Sequence, residues 1–236
     1  MILKGKTAII TGASDGLGEA VAFGLSREGV NLALIARRKD RLAEIKKQIK
    51  GVKVEVYPCD LKDIHQIKQT VKRIIVDFNN VDVLLNIAGI WQKKMPVEEI
   101  EEQIISDVIA TNLTGLIQIT RLVLPVLKKQ DEAAVINVSS TSGYKIPPGQ
   151  SVYSASKWGV RGFTEVIRED LRETNVKVSG IYQAGMKTGL FFKTGEKFAP
   201  GVFEKFMEPK DLATVIVFML ARPKGIWLEE VRVNYK

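Results

Sequence analysis

Seven short apolar runs rich in β-branched residues punctuate this chain of 236 residues, at positions 8–10, 32–36, 52–57, 83–87, 133–138, 176–182 and 231–233. Stretches of amphipathic helical period lie between them. A run that is apolar at nearly every position must be buried on both faces, which is the condition of a strand in a parallel sheet covered by helices on each side. The pattern predicts an α/β, doubly wound parallel sheet of about seven strands. The length suits one such domain, and no Pro/Gly/Ser-rich linker or internal repeat divides it.

Composition narrows the function classes. One cysteine, Cys59, rules out an internal disulfide or a Cys-rich metal cluster, and His65 is the single histidine, so no metal site is expected. Cys59 reads as a buried strand-end residue and His65 as a helix-surface residue. The net charge of +8 is spread over Lys-rich helix faces such as Lys46, Lys47 and Lys50 and is not gathered into a basic tract with aromatics. A nucleic-acid partner is therefore not expected. The first strand begins within ten residues of Met1, and the apolar runs are too short to span a bilayer, so a cytoplasmic, soluble protein with no membrane association is expected.

Chemistry concentrates in a few places. After the first strand comes TGASDGLG at 11–18, a glycine turn opening a helix, with Gly12, Gly16 and Gly18 spaced GxxxGxG. Such a turn lets backbone approach a pyrophosphate at a helix N-terminus, although glycine also serves any tight βα connection. The second strand ends in Arg37 and Arg38, where an NAD-binding unit would place an acid; arginine there suits a 2′-phosphate and favours NADP over NAD. Arg37 is the first choice and Arg38 the second, with Lys39 and Arg41 adding positive potential. The alternative is a charged helix start with Asp40 as its N-cap. Tyr153 and Lys157 in YSASK share a helix face, where an ammonium would move the phenol pKa towards the working range. The strand at 133–138 delivers Ser139 and Ser140 to its carboxyl end, and Ser140 is the candidate to hold a substrate oxygen. Asn112 is a lone amide in an apolar helix and needs partners if buried.

TGASDGLG, NIAG at 86–89, Asn112, Ser140 and YSASK occur in this order and together resemble the short-chain dehydrogenase/reductases over nearly the whole chain. The resemblance implies a Rossmann-like fold and a catalytic set of Asn112, Ser140, Tyr153 and Lys157. It implies a dinucleotide site formed by Gly12, Ser14, Asp15, Gly16, Leu17, Gly18, Arg37, Arg38, Asp60, Leu61, Asn86, Ala88, Gly89, Tyr153, Lys157, Gly185 and Thr188. Asp60 would bond the adenine amino group, or else cap the following helix. Asn86 would give a backbone contact to the ribose, or else be a turn residue before Gly89. Asn112 would hold a water path to Lys157. Gly185 and Thr188 would shape the turn beside the nicotinamide carboxamide.

Two departures stand out: Ala184 replaces the usual proline after the sixth strand, and Ser14 and Asp15 stand where some members carry a second basic residue. The C-terminal GIWLEEVRVNYK is similar to the ending of the NADP-dependent hydroxy-acid and serine dehydrogenase branch. Expected activity is NADP(H)-dependent interconversion of a small-molecule carbonyl and a secondary alcohol, with a catalytically silent dinucleotide sensor or a nucleic-acid-associated protein as the alternatives. The resemblance also implies a homodimer or homotetramer built on helices at about 101–128 and 152–173, with Ile117, Phe163 and Val166 facing the partner or else burying against the protein's own sheet. Residues 186–207 carry Phe191, Phe192, Phe198, Phe203 and Phe206 among lysines, too apolar for a disordered linker, and are expected to form a substrate lid or else to pack as satellite core.

Overall fold

A computed structural model describes residues 1–235. All seven strands pair in parallel in the order β3-β2-β1-β4-β5-β6-β7. They are β1 (Thr7–Thr11), β2 (Asn31–Ala36), β3 (Val54–Pro58), β4 (Val83–Asn86), β5 (Ala133–Val138), β6 (Val176–Gln183) and β7 (Glu230–Val233). The helices are α1 (Gly16–Arg27), α2 (Lys39–Gln48), α3 (Ile64–Phe78), α4 (Glu102–Ile109), α5 (Gly115–Leu127), α6 (Ser151–Asp170) and α7 (Pro209–Leu220). The doubly wound expectation holds. β1 pairs with β2 on one side and with β4 on the other, so the order of winding reverses between β1 and β4, and a ligand crevice opens outside the carboxyl ends of strands at such a switch point.

The side-chain period of two sorts each strand between two cores. Ala8 and Ile10 of β1, with Leu32, Leu34 and Ala36 of β2, pack against α1, α2 and α7, while Ile9, Ala33 and Ile35 pack against α3, α5 and α6. This two-sided burial is why the runs read as continuously apolar.

Three boundaries differ from expectation. Asp63, not Asp60, caps α3, its carboxylate accepting the amides of His65 at 2.8 Å and Gln66 at 3.2 Å. α2 begins at Lys39 with Arg38 at the N-cap, so Asp40 lies inside the first turn. The helix expected at 101–128 is interrupted by a π-turn, Ala110–Thr114, which carries Asn112 inward. The expectation that no apolar stretch reaches bilayer length also needs correction. The helical run Glu102–Leu127 is long and apolar enough by composition. Its apolarity has a core explanation, because Ile119, Val123 and Leu127 of α5 bury against the sheet. Ala184 explains its own presence: its N–H donates to the Val233 carbonyl at 2.9 Å, tying the end of β6 to β7, a bond that the usual proline could not make.

Candidate active site

A cavity of about 540 Å³ opens at the carboxyl ends of β1, β2, β4, β5 and β6. At one end lies the glycine turn. Gly12 and Gly16 have φ of 71° and 55°, the left-handed region that glycine adopts freely. A Cβ on Gly12 would come within 2.8 Å of the Ala88 backbone, so glycine is required for β1 and the β4 loop to pack. Asp15 occupies the N-cap of α1 without its side chain capping the helix, which leaves first-turn amides for an anion.

The Asp15 carboxylate instead pairs with Arg38 at 3.1 Å and with Lys193 at 2.9 Å. Arg38 also donates to the Ser14 carbonyl at 3.0 Å and to the Ser14 hydroxyl at 3.3 Å. The two residues that replace a second basic group thus hold the basic group that is present. Arg37 is exposed, lines the same cavity and has no ion pair among the described residues. Asp60 and Leu61 line the wall beyond it. With Asp60 not serving as a helix cap, its carboxylate is committed only to the Lys62 amide at 3.0 Å. Anion-ready amides, two guanidiniums and a carboxylate along one trough fit a phosphorylated dinucleotide.

The Asn86 side chain does not face the cavity but is buried between strands and α5, donating to Asn137 at 2.7 Å and Thr120 at 2.9 Å, which leaves only its backbone for the expected ribose contact. The next residues, Ile87, Ala88 and Gly89, form the cavity wall, with the Ile87 and Ala88 amides donating to Thr11 at 3.0 and 3.1 Å. Asn112 also lies behind that wall. Its amide accepts from Ile90 N at 2.8 Å and donates to Ile90 O at 3.0 Å and to Ser156 at 3.2 Å, pinning the β4 loop to α6. A Cβ on Gly89 would lie 3.4 Å from Asn112 Oδ1 and 3.6 Å from Lys157 Nζ, so the glycine sits beside both. Gly185 and Thr188 line the far rim, where the Thr188 methyl closes against Gly16.

Ser140, Tyr153 and Lys157 converge on the floor, each more than nine-tenths buried. Ser140 Oγ accepts the Ser142 amide at 3.1 Å, and Ser140 and Tyr153 line the cavity together. Ser139, the rejected candidate, turns away to donate to the Lys157 carbonyl at 2.9 Å. Electrostatics here departs from the sequence reading. Burial pushes the Tyr153 phenol up to about 12, against a smaller downward pull from Ser140, and pushes Lys157 down to about 8. Lys157 Nζ donates to the Val138 carbonyl at 3.1 Å and lies 5.7 Å from the Tyr153 ring centroid.

Several cavity residues escaped sequence reasoning. Trp91 stands edge-on to Tyr153, ring centroids 4.6 Å apart, and touches Phe191 at 5.0 Å. Phe191, Phe198 and Phe206 line the adjoining wall within 186–207, which folds as two 3₁₀ turns, Phe192–Thr194 and Phe203–Lys205. Glu196 of that segment is buried, its carboxylate accepting from Trp91 Nε1 and the Lys94 amide, both at 3.0 Å. Gln150 lines the floor beside Ser142. An acid among the Phe and Lys residues, one of two with Glu204, was the available signal for Glu196, and none existed for Gln150.

Comparison with known proteins agrees with this arrangement. The short chain dehydrogenase family model matches residues 6–198. A 3-oxoacyl-[acyl-carrier-protein] reductase of Thermotoga maritima is 33% identical over 226 residues, covering 93% of this chain and 92% of that protein. An alcohol dehydrogenase from the archaeon Thermococcus sibiricus, solved with 5-hydroxy-NADP, superposes with a TM-score of 0.87 at 27% identity, covering 96% and 95% of the two chains. The closed form of a serine dehydrogenase with NADP+ superposes at 0.86 and 26% identity, covering 96% and 93%. With a family match over most of its length and the fold of those structures, this chain belongs to the short-chain dehydrogenase/reductase family and is an oxidoreductase of that family.

Proposed function

We propose that the protein is an NADP(H)-dependent oxidoreductase interconverting a carbonyl and a secondary alcohol, with Tyr153 as the acid-base group. The observation that carries this reading is the convergence of Ser140, Tyr153 and Lys157 in one cavity with the glycine turn and Arg38. The nicotinamide, when bound, supplies or accepts the hydride. Tyr153, with a pKa near 12, keeps its proton at neutral pH and is charged as a donor for carbonyl reduction. Ser140 holds the substrate oxygen and the phenol together. Lys157, near 8, is cationic at neutral pH and stabilises the phenolate left behind once its ammonium turns from the Val138 carbonyl. Arg38, held by Ser14 and Asp15, and the free Arg37 supply the 2′-phosphate site, while Asn112 keeps the β4 loop against α6.

The NADP-bound alcohol and serine dehydrogenases support the cofactor choice and the small polar substrate class. The reading extends to a cytoplasmic homo-oligomer and to 186–207 as a lid over the substrate. Calorimetric titration of NADPH and NADH tests the cofactor assignment. NADPH should bind about ten- to a hundredfold more tightly, the worth of charged hydrogen bonds to a phosphate, and Arg37→Ala and Arg38→Ala should each weaken NADPH and spare NADH. Equal affinities would reject it.

A further inference from the structure

Asp15 places a negative charge where a negative ligand is to bind. One of its carboxylate oxygens, Oδ2, lies 3.1 Å from the guanidinium of Arg38, a group assigned above to the 2′-phosphate, and both residues line the same cavity. A free carboxylate in that position would hold the guanidinium for itself and repel the incoming phosphate, because like charges a few ångströms apart oppose each other. A phosphate site containing this acid needs a further cation.

The cation comes from far along the chain. Lys193, 178 positions away in the segment 186–207, donates from Nζ to the same oxygen, Oδ2, at 2.9 Å. Burial pushes the Asp15 carboxyl up, but Lys193 foremost and Arg38 after it outweigh this and hold the group below the usual carboxylate range. The two cations differ in what else they hold. Arg38 also donates to the Ser14 carbonyl at 3.0 Å and the Ser14 hydroxyl at 3.3 Å, so it stays in place when the carboxylate turns to the lysine. Lys193 has Asp15 as its one ion-pair partner among the described residues. The backbone around it is packed onto the glycine turn: a Cβ on Gly189 would lie 3.5 Å from Asp15 Oδ2, and one on Gly16 would lie 2.8 Å from the Thr188 methyl.

We propose that Lys193 is a positioning residue for cofactor choice: by neutralising Asp15 it leaves Arg38 to the 2′-phosphate of NADPH, so that the segment 186–207 takes part in telling NADPH from NADH. This rests on the NADP reading above. The three side chains are 37–56% exposed in the open cleft, where a single ion pair contributes little. A ligand filling the cavity that all three line removes water from them and strengthens each charge interaction.

Calorimetric titration of NADPH and NADH on wild type and variants tests this, with the ratio of the two Kd values as the readout. A lost attraction for the pyrophosphate, or a partly unfolded sample, affects both cofactors alike and leaves that ratio unchanged. Lys193→Met should lower the preference for NADPH by about three- to tenfold, the worth of one charged contact in a network, and Lys193→Arg should keep it. Asp15→Asn, which retains an acceptor for Arg38 without the charge, should keep or raise the preference. In the Asp15→Asn background, Lys193→Met should then change it by no more than about twofold, the rescue expected of two residues that act as a pair. A preference unchanged in Lys193→Met, a fall in Asp15→Asn alone, or an equal loss from Lys193→Met in both backgrounds overturns the role of Lys193 and leaves the NADP reading standing. Equal binding of NADPH and NADH by the wild type removes both.

Discussion

Lys157 is the residue whose stability and function are most plainly opposed. Its ammonium is 4% exposed and its one protein partner is a neutral carbonyl, so the fold carries a desolvation cost at neutral pH. The folded pKa of about 8 lies below the unfolded value of 10.5, so between those values the unfolded chain holds the proton that the fold has released, and stability gained from Lys157 rises with pH across that window. Below pH 8 the cost is present in full. Tyr153 acts in the opposite sense above pH 10, where the unfolded phenol ionises while the folded one, near 12, stays protonated and stability falls. Lys157→Met should therefore raise stability at pH 7 by about 1–3 kcal/mol, several degrees in Tm, and abolish turnover. Differential scanning calorimetry at pH 7 and pH 10 checks this. The gain should shrink at the higher pH, and a variant less stable than wild type at pH 7 would contradict the account.

Among the elements, the segment 186–207 is fastened at two points. Its Lys193 pairs with Asp15 of the glycine turn, and its buried Glu196 accepts the Trp91 indole and the Lys94 amide. Trp91 lies against Tyr153, so the same carboxylate that holds the segment also holds a ring on the proposed proton donor. Removing it leaves the buried Trp91 N–H and the part-buried Lys94 amide unpaired, a cost of about 1–3 kcal/mol that falls on the closed state. Glu196→Ala should accordingly be cut by trypsin at the exposed Lys193 and Lys197 several-fold faster than wild type, with NADPH and substrate together slowing the cut in both. Cleavage equally slow in wild type and variant, with and without ligands, would show a rigid packed segment and no lid.

This element also shows where sequence reading stops. The glycine turn, the run ending in Ser140 and the Tyr153–Lys157 pair are local patterns, each set by strand, turn or helix period, and the fold places them as expected. The Trp91–Glu196 contact joins residues 105 positions apart, and Gln150 gains its meaning from a cavity that exists only when β5, α6 and the Phe segment meet. The side-chain direction of Asn86 was hidden for a related reason: a polar residue at a strand end can face the crevice or the neighbouring strand, and the register that pairs Asn86 with Asn137 decided it. The phenol pKa was misjudged because helical spacing brings the ammonium near without revealing how deeply the fold buries the phenol.

At the scale of the whole molecule, α4 and α6 leave apolar side chains in solvent: Ile105, Trp158 and Val166 are 38%, 45% and 60% exposed. Of the residues expected to meet a partner, Val166 is free to do so, whereas Phe163 packs partly into the monomer's own core. Pairing of these helix faces in a homodimer or homotetramer would cover them. Light scattering at micromolar concentration should give a mass of two or four chains, and Val166→Asp should lower it; a monomer at that concentration would reject the proposal.

The central claim is that Tyr153 passes the proton during a nicotinamide-dependent carbonyl reduction. Its most direct test is the kcat of wild type and Tyr153→Phe on the best carbonyl substrate found, followed by NADPH absorbance, with NADPH affinity measured alongside. The account predicts a loss of about a hundredfold or more in kcat with NADPH affinity nearly unchanged, because one hydroxyl is removed from a ring that still packs against Trp91. Turnover by Tyr153→Phe at close to the wild-type rate would contradict it.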